Sequence, residues 1–472
     1  MIGFERNSRG KWMFSAKLKI ALASVMSIGF PACILAAAAP PGPDAGRDVI
    51  ETDDGWASVP GATLPLGTTG GSNAAAGRTV TVTNRAELIA ALRYPDPTPK
   101  LIYVKGPIDV NVDDNGMPQS CKDYARPDPF TGELFDIFAF TATFDPAGPW
   151  GKRAPFGGQE NARAASAAAQ EKRIHIRVPA NTTIYGQGTD AALVGVWLDI
   201  APESTSGSQP MNVIVRNLSF EDTTDCFPEW APDDGATGNW NSRYDAISIR
   251  NATHVWVDRN RFADARTRDA TQPSYFGRLY QVHDGLVDIT DESDFVTVSW
   301  NHFTAHDKAM LIGNSDGAVA DRNKLHVTIH HNLFENLGQR APRVRFGQVH
   351  VYNNLYKVDR DTNYHSTWGV GVESQIYAEN NFFEFSPMYG PMEVIDGKKG
   401  SQITTVGNCW KETAQCVPTD FVAEWNAKFD PDLKADVGWK PKLYGPASAA
   451  ESTESARERV MKESGPGRTG TK

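Results

Sequence analysis

Cysteine is scarce, five in 472 residues, and the spacing of those present matches no zinc site. Positive charge is short as well: 47 Lys and Arg face 57 Asp and Glu, a formal net charge of −10, which excludes a non-specific nucleic-acid partner. Long apolar runs are missing apart from residues 20–35, and that stretch is short for a membrane span and broken by Gly29 and Pro31. The glycine run GTTGG at 67–71 lacks a strand–turn–helix setting, so it reads as a turn and not as a phosphate cradle.

What precedes and follows that apolar stretch reads as an export signal. Arg6, Arg9, Lys11, Lys17 and Lys19 lie ahead of it, and alanines and a Pro-rich segment follow. The expected organisation is a signal peptide at 1–38, a linker at 39–54, one domain at 55–445 and a polar, loosely packed tail at 446–472. A membrane anchor is the alternative for the first segment. A lipoprotein reading at Cys33 is disfavoured by Phe30, Pro31 and Ala32 ahead of it. Cleavage would take the formal charge to −14 and leave a secreted protein with no membrane attachment, expected to be a monomer. The remaining Cys121, Cys226, Cys409 and Cys416 then suggest two disulfides, Cys409–Cys416 as the local pair and Cys121–Cys226 as the remainder.

The dominant pattern is a repeat. VIVRNLSF, VWVDRNRF, VTVSWNHF, VTIHHNLF, VHVYNNLY and IYAENNFF end at Phe220, Phe262, Phe303, Phe334, Tyr356 and Phe383, with a fainter ITTVGNCW ending at Trp410. Their asparagines, Asn217, Asn260, Asn301, Asn332, Asn354, Asn381 and Asn408, are spaced by 43, 41, 31, 22, 27 and 27 residues. A period as short as 22 with period-two alternation suits one coil of a parallel β-helix, not a helix-pair repeat. Inward Val, Ile and Phe would stack into one core, and each Asn would take the left-handed bend and bond to its equivalents above and below. The fold class expected is all-β, a right-handed single-stranded parallel β-helix with an Asn ladder. Asn84 and Glu87 predict a capping box on a short helix over Leu88, Ile89 and Leu92 that covers the open end. Residues 113–172 read as a long polar insertion with an Ala-rich helix near 159–172.

Chemistry concentrates between 243 and 345. Asp284 and Asp288 are four apart on an expected strand, which would put both carboxylates on one face, and Asp245 lies one coil earlier. Three converging carboxylates need a cation, and an all-oxygen set favours calcium. Lys308, Arg340, Arg343 and Arg345 follow, a cationic group suited to a polymer with one carboxylate per sugar. The bland readings are solvated aspartates and structural ion pairs. His302, His306, His330 and His331 read as ladder or corner residues, and Phe262, Phe303, Phe334 and Trp256 as core.

The chain resembles the bacterial extracellular pectate lyases of polysaccharide lyase family 1, from about residue 55 to about 410. The most specific stretches are NWNSRYDAISI, THVWVDRNRF, HDGLVDI with HDKAMLIGNSD, and RAPRVRFG. The resemblance implies Asp245, Asp284 and Asp288 as calcium ligands, Arg340 as catalytic base, and Lys308 and Arg345 as ligands of the substrate carboxylate, with Arg343 lining the groove. It implies β-elimination on polygalacturonate. A guanidinium is an awkward base because it holds its proton, so hydroxide or water acting beside Arg340 stays open. Two departures stand out: Arg259 where the family commonly has His, and Arg243 two residues before Asp245, where some relatives carry an acid. A pectin lyase acting on methyl-esterified polymer is an alternative. So are a β-helix hydrolase, which needs paired acid and base carboxylates, and a binding module, which has no reason to gather Lys308, Arg340 and Arg345.

Overall fold

The computed structural model describes residues 45–93, 97–203, 209–264, 266–411, 415–441 and 451–468. The expected signal peptide lies outside them. Among them, no helix is long and apolar enough to cross a membrane.

The repeated segments do form coils of a parallel β-helix. One ladder stacks Met211–Arg216, Thr253–Asp258, Asp294–Ser299, His326–His330, Gln348–Tyr352 and Gln375–Glu379, all parallel. A second stacks Ser219–Glu221, Arg261–Ala263, His302–Lys308, Leu333–Gln339, Leu355–Val358 and Phe382–Phe385. The third face is an eight-stranded sheet that includes Trp197–Ile200, Ile247–Arg250, Val287–Thr290, Leu311–Ile312 and Arg343–Val344. Alternation turns Val255, Val257, Val296, Val298, Val327 and Ile329 into one continuous core, all fully buried. Phe220, Phe262, Phe303, Phe334, Tyr356 and Phe383 stack face to face with centroids 4.7–5.0 Å apart. That distance is the inter-strand spacing, so the ladder register dictates the ring stack.

The Asn ladder runs from Asn260 to Asn408. In each step the backbone N–H and Nδ2 of one Asn donate to Oδ1 of the next, at 2.8–3.1 Å. Two expectations need correction. The left-handed residue is not the ladder Asn but the one before it: Arg259, Trp300, His331, Asn353, Asn380 and Gly407 have φ of 51–63°. Asn217, with two spacers before its Phe, occupies that bend position (φ 62°), and Leu218 N–H meets Asn260 Oδ1 instead.

The ends are closed by added pieces. Asn84 accepts from Glu87 N and caps the helix Arg85–Leu92, whose Leu88, Ala91 and Leu92 are buried. Glu87 reaches past Asn84 to bond Thr83 N and Oγ1, so the expected capping box is displaced by one residue. The helix Gly158–Ile174 matches the Ala-rich prediction. The insertion that contains it is not simply polar, because Phe140 and Phe144 bury themselves against Trp230 and Trp240. Disulfides join Cys121 to Cys226 and Cys409 to Cys416. The lead-in before residue 75 is docked along the first ladder, where Trp56 N and Ala57 N donate to Thr328 Oγ1 and Thr297 Oγ1, both at 3.0 Å. Ile50 and Ala57 cover Trp256 and Ile214, so Trp256 is buried beneath this segment and not in the central core.

The tail is also packed. The helix Thr453–Glu463 buries Val460 against Leu333, Leu355, Phe382 and Cys409. Beyond it, Gly467 N donates to Asn217 Oδ1 at 2.7 Å. Arg259 donates to Glu463 O at 2.8 Å and stacks over Trp300, so the departure from the family His serves the tail. At the start of this strap, Glu451 accepts from His331 Nε2 at 3.1 Å. Burial pushes His331 down to about 4, from an ordinary value of 6.5. Between these values the unfolded chain binds the extra proton, so this ring's contribution is full above pH 6.5 and is lost as pH falls toward 4. The loss is on the order of 3 kcal/mol. Urea midpoints at pH 7 and pH 4.5 should therefore differ less in His331→Gln than in the parent. Equal differences would show that His331 does not titrate on unfolding.

Candidate active site

The eight-stranded sheet carries most of the chemistry-bearing residues at or beside its strands. Asp288 lies in Val287–Thr290, directly beside Ser248 of Ile247–Arg250. Asp245 is two residues ahead of that second strand, and Lys308 ends the strand His302–Lys308 on the neighbouring face. Asp284 precedes its strand instead of lying in it, so the alternation argument that paired it with Asp288 does not apply. Convergence comes at Gly285, in the irregular segment just ahead of the strand. A Cβ there would lie 2.3 Å from Asp288 Oδ1 and 2.8 Å from Asp245 Oδ1, so this close approach requires glycine.

The three carboxylates have different surroundings. Asp245 accepts from Gly285 N at 2.9 Å and from Ser248 Oγ. Burial, with repulsion from Asp284, pushes it up to about 7. Asp288 accepts from Leu311 N at 2.9 Å, and burial plus Asp245 and Asp284 raise it well above the carboxylate range. Asp284 resists the same burial because Lys308 and Arg340 hold it below its ordinary value. Its Oδ1 accepts from Lys308 Nζ at 2.9 Å. With Asp284 turned to Lys308, no three such side chains among the described residues are closed into a ligand set. The donors nevertheless fit a hard cation, being all oxygen and, for Asp245 and Asp288, buried against each other's charge.

The arginines lie on and beside the strand Arg343–Val344 of the same sheet. Arg340 is in left-handed backbone (φ 61°), and its carbonyl accepts from Met310 N at 2.7 Å. Its Nε is buried without a hydrogen-bond partner among the described residues, and its charge reaches both Asp284 and Asp288. The next carbonyl, Ala341 O, accepts from the Tyr356 hydroxyl at 3.1 Å, so the core ring stack anchors the chain beside Arg340. Arg343 also has a buried, unbonded Nε, and burial with Arg345 and Arg340 nearby lowers it to about 10. Arg345 is held by Asp316 at 2.7 Å and by the carbonyls of Gly313 and Asn314. Lys399 joins Asp316 from the other side, and together with Arg345 it brings that carboxylate down to about 2. Arg243 faces Glu171 of the helix Gly158–Ile174 at 3.7 Å, and its backbone N–H meets Asp225.

Sequence reasoning missed Asp264 and read His306 only as a ladder or corner residue. His306 Nδ1 meets Asp264 Oδ2 at 2.8 Å and its Nε2 meets Asp284 O at 2.7 Å. Burial alone would lower the ring, but Asp264 and the Asp284 carbonyl lift it to about 9. The signal was present, since His306 is two residues from Lys308 and alternates onto the same side of one strand. The other corner histidines behave as expected: His331 stacks on Trp300 and His330 on Tyr352.

A pectate lyase family model matches residues 156–469. The chain is 38% identical to a pectate lyase of Bacillus subtilis (strain 168) over 455 residues, 95% of this chain and 99% of that protein. It is 34% identical to pectate lyase E of Dickeya dadantii (strain 3937), over 71% of this chain and 68% of the other. Among solved structures, a thermostable pectate lyase superposes with a TM-score of 0.82 at 41% identity, over 90% of this chain and all of that one. A pectate lyase bound to a hexasaccharide gives 0.80 at 38%, with the same coverage. Likeness of this extent takes in the coils and the site together, and the chain belongs to the pectate lyase family.

Proposed function

We propose that this chain cleaves (1→4)-α-D-galacturonan by β-elimination, with Arg340 as the base and calcium as the cation at Asp245, Asp284 and Asp288. Arg340, in its neutral form, takes the C5 proton of a galacturonate residue. The C5–H electrons become the C4–C5 double bond, the C4–O4 bond breaks, and O4 leaves with its pair and is protonated from solvent. Lys308 and Arg345 pair with the uronate carboxylate, where negative charge builds as C5 loses its proton. Arg343 adds positive charge along the groove. A calcium ion in the carboxylate site would supply further positive charge against that carboxylate. The observation that carries this reading is Arg340: a guanidinium whose buried Nε has no hydrogen-bond partner among the described residues, held in left-handed backbone within electrostatic reach of Asp284 and Asp288. The same reading takes residues 1–38 as an export signal and the mature chain as a monomer acting outside the cell, which its two disulfides suit.

Ultraviolet absorbance during incubation with polygalacturonate tests this directly, since the unsaturated product absorbs and hydrolysis products do not. Chelation is expected to lower the rate by at least about 100-fold, the equivalent of about 3 kcal/mol of charge stabilisation, and added calcium to restore it. New reducing ends without absorbance would replace elimination by hydrolysis. Full activity under chelation would remove the metal and favour a pectin-lyase-like site.

A further inference from the structure

His306 is buried against the Asp284 carbonyl, and the chemistry above makes no use of it. Both of its ring nitrogens face acceptors, Asp264 Oδ2 at 2.8 Å and Asp284 O at 2.7 Å. Asp284 O is one end of the Asp284–Gly285 peptide. The other end, Gly285 N–H, donates to Asp245 Oδ1 at 2.9 Å. Two residues along the same strand, Lys308 Nζ holds the Asp284 side chain at 2.9 Å. The strand His302–Lys308 therefore grips Asp284 twice, by its carbonyl and by its carboxylate.

We infer that Asp264 and His306 form a positioning pair that fixes the Asp284–Gly285 peptide and so sets the spacing between Asp245 and Asp284. This rests on the reading of the trio as a calcium site. Asp284 lies before its strand, so the β-ladder does not orient its carbonyl, and a peptide next to glycine rotates more readily than one flanked by larger residues. If the carbonyl turned from the ring, the N–H at the other end would turn from Asp245 with it. Two carboxylates would then lose their separation at once. Asp264 is itself immobilised: it is buried, and its other oxygen lies 3.4 Å from His283 Nδ1. His283 is tied in turn to the carbonyls of Thr223 and Thr267 at 2.9 and 2.6 Å. Groups that orient metal ligands from behind are commonly worth 10- to 100-fold in affinity.

Isothermal titration of the metal-free chain with calcium chloride, without substrate, is the test. His306→Ala is expected to bind calcium about 10- to 100-fold more weakly. Its half-maximal rate on polygalacturonate should need correspondingly more calcium, with most of kcat regained at saturation. His306→Gln, whose amide can still donate to Asp284 O, should recover part of the lost affinity. If His306→Ala does not fold, Asp264→Asn decides: several-fold weaker binding supports the pair, and unchanged binding overturns it. Parental affinity in His306→Ala, or a loss of kcat at saturating calcium with affinity unchanged, also overturns it. A parent chain that yields unsaturated product but neither binds nor needs calcium would instead remove the metal reading beneath it.

Discussion

Arg340→Ala is expected to lower the rate of unsaturated-product formation by about 10²- to 10⁴-fold, the usual worth of a positioned proton-transfer group. Calcium affinity should change far less, because Arg340 acts on Asp284 and Asp288 only through its charge. Folding should be nearly unaffected. The Arg340 carbonyl bond to Met310 N and the neighbouring Tyr356 bond to Ala341 O are backbone anchors that survive the substitution. Left-handed backbone costs alanine about as much as arginine, so Arg340→Gly keeps the geometry with less strain. Arg340→Lys retains the positive charge but not the flat guanidinium, and it separates two roles. A base role predicts a large loss in Lys as well, because its single nitrogen on a differently shaped side chain does not sit where the guanidinium nitrogen meets C5–H. Purely electrostatic assistance to a hydroxide base predicts that Lys keeps a large share of the rate. Retention of the parental rate in Arg340→Ala, within about twofold, would end the assignment of this residue to the chemistry.

The solenoid was legible because it is a one-dimensional pattern. Val255–x–Val257 and Val296–x–Val298 alternate where they must fill a core, and a buried Asn that bonds to its own copy in the next coil has to recur. The error at Asn217 came from the same source. A segment one residue out of step still looks like the motif, although its two spacers before Phe220 mark the shift that the pairing of Leu218 with Asn260 reveals. Charged site residues were legible as types, since carboxylates beside lysine and arginines in short, specific stretches leave few alternatives. Their geometry was not. Asp284 reaches the site from irregular backbone ahead of its strand, where Gly285 permits the close approach of Asp245 and Asp288, and such an approach leaves no periodic trace. His306 was passed over because histidines in this chain more often serve as stacking residues. The tail misled for a compositional reason. Its apolar stripe is only Ala456 and Val460, set in a polar helix that uses its charges to bind: Arg457 to Glu384, and Arg459 to Glu451. The lead-in hid its docking because its bonds come from backbone N–H groups, which every residue supplies.

Asn332→Ala is expected to cost about 3 kcal/mol of stability, from the cavity and from buried groups left without partners. Asn332 Oδ1 accepts from Asn301 N at 2.9 Å and Asn301 Nδ2 at 3.0 Å. Its Nδ2 donates to Val298 O, His330 O and Asn354 Oδ1. Truncation removes all five contacts. The main orphan is the Asn301 backbone N–H, which is fully enclosed and has no route to water. The amides from Asn260 to Asn408 also share one direction, each Oδ1 receiving from the coil before it and each Nδ2 from Asn260 to Asn381 giving to the Asn of the coil after. Aligned hydrogen bonds strengthen one another, so a break in the middle should cost more than one at Asn408. Asn332→Asp tests the direction itself. It keeps an acceptor for Asn301 but sets a buried carboxylate against Asn354 Oδ1, so at neutral pH it should be less stable than Asn332→Ala. Denaturant midpoints for Asn332→Ala, Asn332→Asp and Asn408→Ala beside the parent would decide. A midpoint for Asn332→Asp equal to the parent's would mean that the ladder bears no directional load, and a parental midpoint for Asn332→Ala would mean that the aromatic stack holds the coils without it.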